Sequence, residues 1–199
     1  MRAFLTRLLR EPSVVLRRLL QCIFVWRVPN PCGNPATADL IVVQSASDCI
    51  GNATSTTNIA LADAAQVLHE THGTPIFPQA EVGRVLNTRG VATIATTPIY
   101  STISLLTSEY GAGSYDVALL HKQLCVKHGW TKVVVLAYHP HIVRVVWIYE
   151  KLGFEVIVPS NVPRMTYQST ASQWRHRRAI TSLPYELAAR LWFLYQGYI

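Results

Sequence analysis

Residues 132–159 leave few choices of fold. Lys132 opens the run Lys-Val-Val-Val-Leu-Ala, which is β-branched, apolar and of strand length. Tyr138-His139-Pro140-His141 follows, and then Ile142, Val145, Val146, Ile148 and Tyr149 recur at the spacing of a helix face up to Gly153, a helix terminator. A second β-branched run ends at Pro159. The pattern is strand, helix, strand, the crossover that parallel strands require. His139, His141 and Arg144 fall where the first strand ends and the helix begins. Ligands of open α/β sheets bind at that edge. Two imidazoles and a guanidinium there suit an anionic or hydrogen-bonding ligand.

The chain has 199 residues, half of them hydrophobic and only 15% charged, so it can bury a full core and is not a disordered chain. No apolar stretch reaches the roughly 18 residues of a membrane span. The formal charge of +7 is uneven. Arg2, Arg7, Arg10, Arg17, Arg18 and Arg27 stand against the single acid Glu11 in residues 1–28, so the body is nearly balanced. Arg175-His176-Arg177-Arg178 is the only basic cluster in the body. It reads as a solvated helix face and is too small for a nucleic-acid groove, so no nucleic-acid partner is expected. Cys22, Cys32, Cys49 and Cys125 show no metal or redox spacing and read as reduced thiols of a cytoplasmic protein.

The amino-terminal segment has three readings. Ser13 can cap a helix reaching residue 27, in which only Arg17, Arg18 and Gln21 interrupt the apolar positions from Val14 to Trp26. Such a helix packs on the domain, or it lies at an anionic membrane surface. A cleaved signal peptide fits least, because two arginines break the apolar region and no small-x-small site follows. A Pro/Gly-rich linker over 29–35 then separates residues 1–37 from a domain at 38–199.

Within that domain, strands are expected at 39–45, 75–78, 91–96, 132–137 and 154–159. Helices are expected at 58–72, 81–88, 115–128, 141–152, 171–180 and 184–197, several of them closed by Gly73, Gly90, Gly129 and Gly197. This alternation predicts an α/β fold: a doubly wound, mostly parallel five-stranded sheet with extra carboxyl-terminal helices. If the strand order reverses between the first strand and the strand at 132, three loops meet at one edge. The first, 44–57, brings Ser45; the second, 107–116, brings Ser114 and Asp116; the third brings His139, His141 and Arg144. Plainer roles are open to several of them. Ser114 suits a helix cap, Asp116 complements a helix dipole, and Arg144 suits a surface ion pair.

Several chemistries lack their signatures. There is no GxGxxG fingerprint, no phosphate-loop lysine and no Gly-x-Ser-x-Gly elbow. The His139-x-His141 pair has no third ligand nearby, and His69 and His72 lack the glutamate placement of a zinc protease helix, so no metal is expected.

The order strand, Tyr-His-Pro-His-x-x-Arg, helix, Gly, strand resembles the YdcF-like domain family, which includes the SanA- and ElyC-like proteins. Residues 38–43 resemble its opening strand, and Ala112-Gly-Ser114-Tyr115-Asp116 its Ser/Thr-containing turn. Tyr167-Gln168-Ser169 with Gln173-Trp174 resembles a carboxyl-terminal segment of some members. Glu186, Ala189, Arg190 and the Gly-aromatic-Ile end resemble its terminal helix. The glycines usual after the first strand are replaced here by Gln44-Ser45-Ala46-Ser47, while Glu81 matches the family's acid. The resemblance implies a Rossmann-like fold with a cleft for an anionic or nucleotide-type small molecule, S-adenosylmethionine being the suggested cofactor. On this reading Arg144 contacts the anionic group, and His141 donates a hydrogen bond or serves as catalytic acid/base. Ser45, Ser114, Asp116 and His139 hold polar atoms, and Glu186 orients Arg144 or His141. The rival expectation, drawn from relatives tied to the cell envelope, is a non-catalytic membrane-peripheral protein acting through residues 1–28.

Overall fold

The computed structural model describes residues 11–26, 32–47, 53–96 and 113–199. Cys49, Arg2, Arg7, Arg10, Arg27 and the greater part of the 107–116 loop lie outside these residues. The described residues contain four strands and six α-helices: α1 (Pro12–Phe24), β1 (Leu40–Val43), α2 (Thr56–His72), β2 (Ile76–Pro78), α3 (Ala80–Thr88), α4 (Ser114–His128), β3 (Lys132–Leu136), α5 (His141–Lys151), β4 (Glu155–Ile157) and α6 (Ala179–Gln196). Single 3-10 turns occur at Pro35–Thr37 and Trp174–His176.

The sheet is parallel throughout, with strand order β2-β1-β3-β4. β1 is the pivot. Its Ile41, Val42 and Val43 register with Ile76, Phe77 and Pro78 on one side and with Val134, Val135 and Leu136 on the other. Asp39 fixes the start of that register, its Oδ2 accepting from the Thr131 and Lys132 amides at 2.8 Å each. Alternate residues of β1 and β3 point to opposite faces. Leu40, Val42, Val133 and Val135 pack with α4, α5, Cys22 of α1, and Phe193 and Leu194 of α6. Ile41, Val43, Val134 and Leu136 pack with Leu61, Ala62 and Ala65 of α2 and Val82, Val85 and Leu86 of α3. The order thus reverses between β1 and β3, as the sequence reading required. The chain moves outward through α2 on one face and through α5 on the other, which keeps both crossovers of one hand.

The structure corrects the expected strand count. Residues 91–96 form no strand, and only the Ile94 amide reaches the sheet, donating to the Ile76 carbonyl at 3.0 Å. The cause lies in β2. Phe77 faces β1, so Ile76 and Pro78 face outward, and Pro78 has no N–H to continue a ladder. Two other elements differ. The expected helices at 171–180 and 184–197 are a 3-10 turn followed by one helix. Pro184 lies inside α6 on its exposed side, where water can serve the carbonyl that its ring leaves unbonded. Ser13 does not cap α1; Pro12 occupies the first turn and Glu11 the cap position, without a side-chain cap bond. By contrast, α2 is capped by Ser55, which accepts from the Asn58 amide, and Gly73 and Gly129 end α2 and α4 at φ 70° and 69°.

α1 packs on α6 through Val15 and Cys22, and Cys22 belongs to the main core cluster. The three described thiols differ sharply. Burial raises Cys22 and pushes Cys125 up to about 11, whereas Cys32 is exposed. A thiolate-selective reagent applied to a Cys49→Ser protein should therefore modify Cys32 at once, and Cys22 and Cys125 only on unfolding. Peptide mapping by mass spectrometry checks this. Prompt modification of Cys22 would show that α1 is not seated on the core.

Candidate functional site

The carboxyl ends of β1 and β3 carry the polar constellation, and each member is placed by local structure. After Leu136 the chain stays buried through Ala137 and Tyr138, turns at the cis peptide between His139 and Pro140, and enters α5 at His141. His141 and Arg144 stand three residues apart, so they share a face, and helical side chains lean toward the amino terminus. Both are 5% exposed. Glu186 and Arg190 sit four apart on α6. Ser114 opens α4.

Glu186 is the hub. Its Oε1 accepts from Arg144 Nε at 3.1 Å and from Arg190 Nε at 3.2 Å, and its Oε2 accepts from Arg144 Nη2 at 3.0 Å. Burial is the largest influence and would raise the Glu186 carboxyl, but the Arg144 charge together with the surrounding hydrogen bonds outweighs it and holds the group well below the usual carboxylate range. Arg190 is fully buried, donates to the carbonyls of Pro140 (3.0 Å) and Val25, and lies over the Trp26 ring at 4.5 Å. Two guanidinium groups share one carboxylate, so the cluster carries a net charge of +1 beneath the sheet edge.

Arg144 extends the network upward and fixes its tautomers. Its Nη2 lies 2.9 Å from His141 Nδ1, and its Nη1 donates to Ser114 Oγ at 3.2 Å. A guanidinium only donates, so His141 Nδ1 must carry the lone pair and Nε2 the proton. His141 Nε2 then donates to Ser114 Oγ at 3.1 Å. Burial, aided by the Arg144 charge, lowers the imidazole to about 4 and keeps it neutral. His141 Nδ1 stands 3.7 Å from Glu186 Oε2, with the Arg144 guanidinium contacting both groups. The Ser114–His141–Glu186 set therefore resembles a nucleophile triad in composition but holds its imidazole in the opposite tautomer. It cannot take the Ser114 proton. Ser114 Oγ accepts two bonds, and its own O–H is left to donate outward.

A second serine–imidazole pair lies beside the first. The Ser47 amide donates to His176 Nδ1 at 3.1 Å, and Ser47 Oγ stands 2.6 Å from the same atom. A backbone N–H can only donate, so Nδ1 is again the acceptor, and Nε2–H donates to Tyr138 Oη at 2.8 Å. This tautomer could accept a proton, but burial and Arg175 lower the imidazole to about 3, a poor base at neutral pH. Its role is positional: it ties the loop after β1 to the carboxyl-terminal segment. The Tyr138 ring lies 5.1 Å from that of His141 and joins the two halves.

Of the residues expected at the site, Ser114, His141, Arg144 and Glu186 come together. Ser114 is not the helix cap; Gly113 occupies that position, and the Ser114 side chain turns into the cluster. Arg144 lies below the expected contact position, with all but one of its N–H donors engaged inside the protein. Ser45 is drawn elsewhere. Its amide donates to Gln79 Oε1 and its hydroxyl to Glu81 Oε2, both at 2.9 Å. His139 is half-buried and tied by its amide to the Pro163 carbonyl, away from His141. Asp116 is half-buried in the first turn of α4, where burial raises its carboxyl against backbone hydrogen bonds, and it is not joined to the cluster among the described residues.

Sequence reasoning missed Gln44, Ser47, Tyr138, His176 and Arg190 as members of the site. Arg190 was legible as the i+4 partner of Glu186 on an otherwise apolar helix. Gln44 was legible as a polar residue directly continuing a buried strand. It donates to the Ser114 carbonyl at 2.9 Å, and Tyr149, whose burial it shares, pairs its hydroxyl with the fully buried His121.

Two outcomes follow. Arg144→Met removes two of the hydrogen bonds that Glu186 accepts, leaving Arg190 as its remaining buried cation, and leaves His141 Nδ1 without its donor; it should lower unfolding free energy by roughly 3 kcal/mol. Ser114→Ala should cost no more than about 1 kcal/mol. Urea unfolding compares them, and equal costs would refute the hub arrangement. The second outcome concerns pH. His121, His141 and His176 are lowered to about 3, 4 and 3 by burial, against 6.5 in the unfolded chain. The unfolded state binds more protons below pH 6.5, so stability is full above that pH and falls as pH drops toward 4. Each imidazole adds about 1.4 kcal/mol per pH unit. His176→Gln should make the slope between pH 6 and 5 shallower by roughly one proton's worth, measured by urea midpoints across pH. Stability flat down to about pH 5 would contradict the burial of all three.

Compared with protein-family models, with curated proteins and with solved structures, the chain matches none, so the reading of this site rests on its own geometry.

Proposed function

We propose that this chain is a YdcF-like domain of Rossmann-like, doubly wound form that binds an anionic, nucleotide-type small molecule at the carboxyl edge of its sheet, between β1 and β3. The observation that carries this reading is the Ser114 hydroxyl. It accepts from both Arg144 and His141, so its proton is directed to a further acceptor. Three features around it favour negative charge. The amino ends of α4 and α5 meet at the Ser114–His141 hydrogen bond, and both lack a side-chain cap. Beneath them lies the net positive charge of the Arg–Glu–Arg cluster. Ser114 is half-buried, while His141 and Arg144 are buried, so Ser114 is the group that meets the ligand and the others set its orientation.

Binding without turnover is the reading the tautomers favour. The lone pair of His141 faces Arg144, and the lone pair of His176 belongs to an imidazole too weakly basic for general-base work at neutral pH. Donors without a poised base suit recognition of acceptor atoms: the phosphate of a nucleotide, or the amino-acid carboxylate of S-adenosylmethionine. The residues that would hold such a group are Ser114 directly, with the amides of the first turn of α4.

Mass spectrometry of small molecules released from the purified full-length protein, followed by calorimetric titration with adenosine diphosphate and with S-adenosylmethionine, tests the proposal. One of these anionic groups should bind, and Ser114→Ala should weaken it by about tenfold or more, as expected for a lost hydrogen bond to a charged group. Unchanged affinity in a folded Ser114→Ala protein would remove the site.

A further inference from the structure

The outward side of α1 lies apart from the sheet edge. At about 100° per residue, its side chains fall into three strips. Val15 and Cys22 form the buried strip that packs on α6. On one flank stand Val14, Arg17, Arg18 and Gln21, which with Trp147 and Glu150 of α5 line a groove of about 350 Å³. There Arg18 lies 5.5 Å from the Trp147 ring centre and donates to Gln21 Oε1 at 3.1 Å. The other flank is apolar and bare: Leu16, Leu19, Leu20, Ile23 and Phe24 are 56, 37, 47, 39 and 73% exposed.

Five large apolar side chains in one continuous strip differ from the scattered exposed residues of an ordinary surface. The charge of the segment that carries the strip selects its cover. Residues 1–28 hold six arginines and one acid. A second copy laid strip to strip would therefore bring like charge against like charge. An anionic bilayer supplies both hydrocarbon for the strip and negative charge for the arginines. Among the described residues no helix is long and apolar enough to cross a membrane, so the geometry is that of a helix lying in the interface. Arg17 follows Phe24 around the helix, at the border between the apolar and polar flanks, which is the depth of the lipid phosphates once the strip is immersed.

We infer that α1 is an interfacial helix that docks the protein on an anionic membrane surface, with Leu16, Leu19, Leu20, Ile23 and Phe24 at the acyl boundary and Arg17 among the headgroups. Docking uses the flank opposite the groove and leaves Val15 and Cys22 in place against α6. The inference is independent of the sheet-edge site.

Co-sedimentation of the full-length chain with phosphatidylcholine vesicles, with and without phosphatidylglycerol, is the test. The protein should partition onto the anionic vesicles and far less onto the neutral ones, with release by salt. Replacing Leu20→Glu and Ile23→Glu together should lower partitioning by about tenfold or more for each residue withdrawn. The thermal midpoint should hold, because neither side chain touches the packing strip. Arg17→Gln should weaken the preference for anionic vesicles while leaving neutral binding unchanged. Absence of vesicle binding, or equal binding by the Leu20/Ile23 variant, overturns the inference. So would a dimer in sedimentation equilibrium that the same pair of substitutions dissolves, which would assign the strip to a second copy.

Discussion

Glu186 is a single carboxylate doing the work of a scaffold. It is buried, its partner Arg144 lies 42 residues away in sequence while Arg190 stands four away on the same helix, and it stays ionised because these two guanidinium groups converge on it. Through Arg144 it sets the tautomer of His141 and the direction of the Ser114 hydroxyl. Through Arg190 it reaches the carbonyls of Pro140 and Val25, and so the turn before α5 and the end of α1. An isolated buried carboxylate would be costly, and removing either arginine takes away buried hydrogen bonds that it accepts. The cluster therefore makes the relative placement of α1, α5 and α6 depend on one electrostatic condition.

That condition also explains the character of the sheet edge. Burial favours neutral imidazoles, and the Arg144 guanidinium claims the lone pair that a general base would need. What remains partly exposed at the edge is the Ser114 hydroxyl with the first turn of α4. Composition alone, with serine, histidine and glutamate in one cluster, points toward nucleophilic chemistry. The interposed arginine reverses that reading, because the same three side chains with a guanidinium in contact with two of them become a set of donors.

Much of the fold was legible in local pattern. The β-branched runs at 40–43 and 132–136, the periodic run of α5 and the glycines after α2 and α4 state strands, a helix and stops without help from elsewhere in the chain. The meeting of Ser114, His141 and Arg144 was legible too, since it needed only the strand order and a sheet edge, whereas Glu186 on the terminal helix came only from the family resemblance. The failures share one cause: each depended on a partner distant in sequence. Residues 91–96 have strand composition, but Pro78 on the neighbouring element denies them a ladder. Ser114 has the identity of a cap, but its hydroxyl is taken by α5. His176, within a basic run that reads as solvated surface, is buried against Ser47, a contact that spans most of the chain.

The same proline has a second effect, felt between molecules. On the outward side of β2, Pro78 cannot donate and the Ile76 carbonyl is taken by the Ile94 amide; on that of β4, the Val158 amide and carbonyl pair with Cys32, whose thiol also reaches the Val156 carbonyl at 3.5 Å. A short parallel sheet with bare margins is a template onto which other chains can add strands. Here each margin keeps few free backbone groups, so the sheet is a poor template for a further strand, and a protein with an apolar surface strip elsewhere is less open to aggregation through its sheet edges.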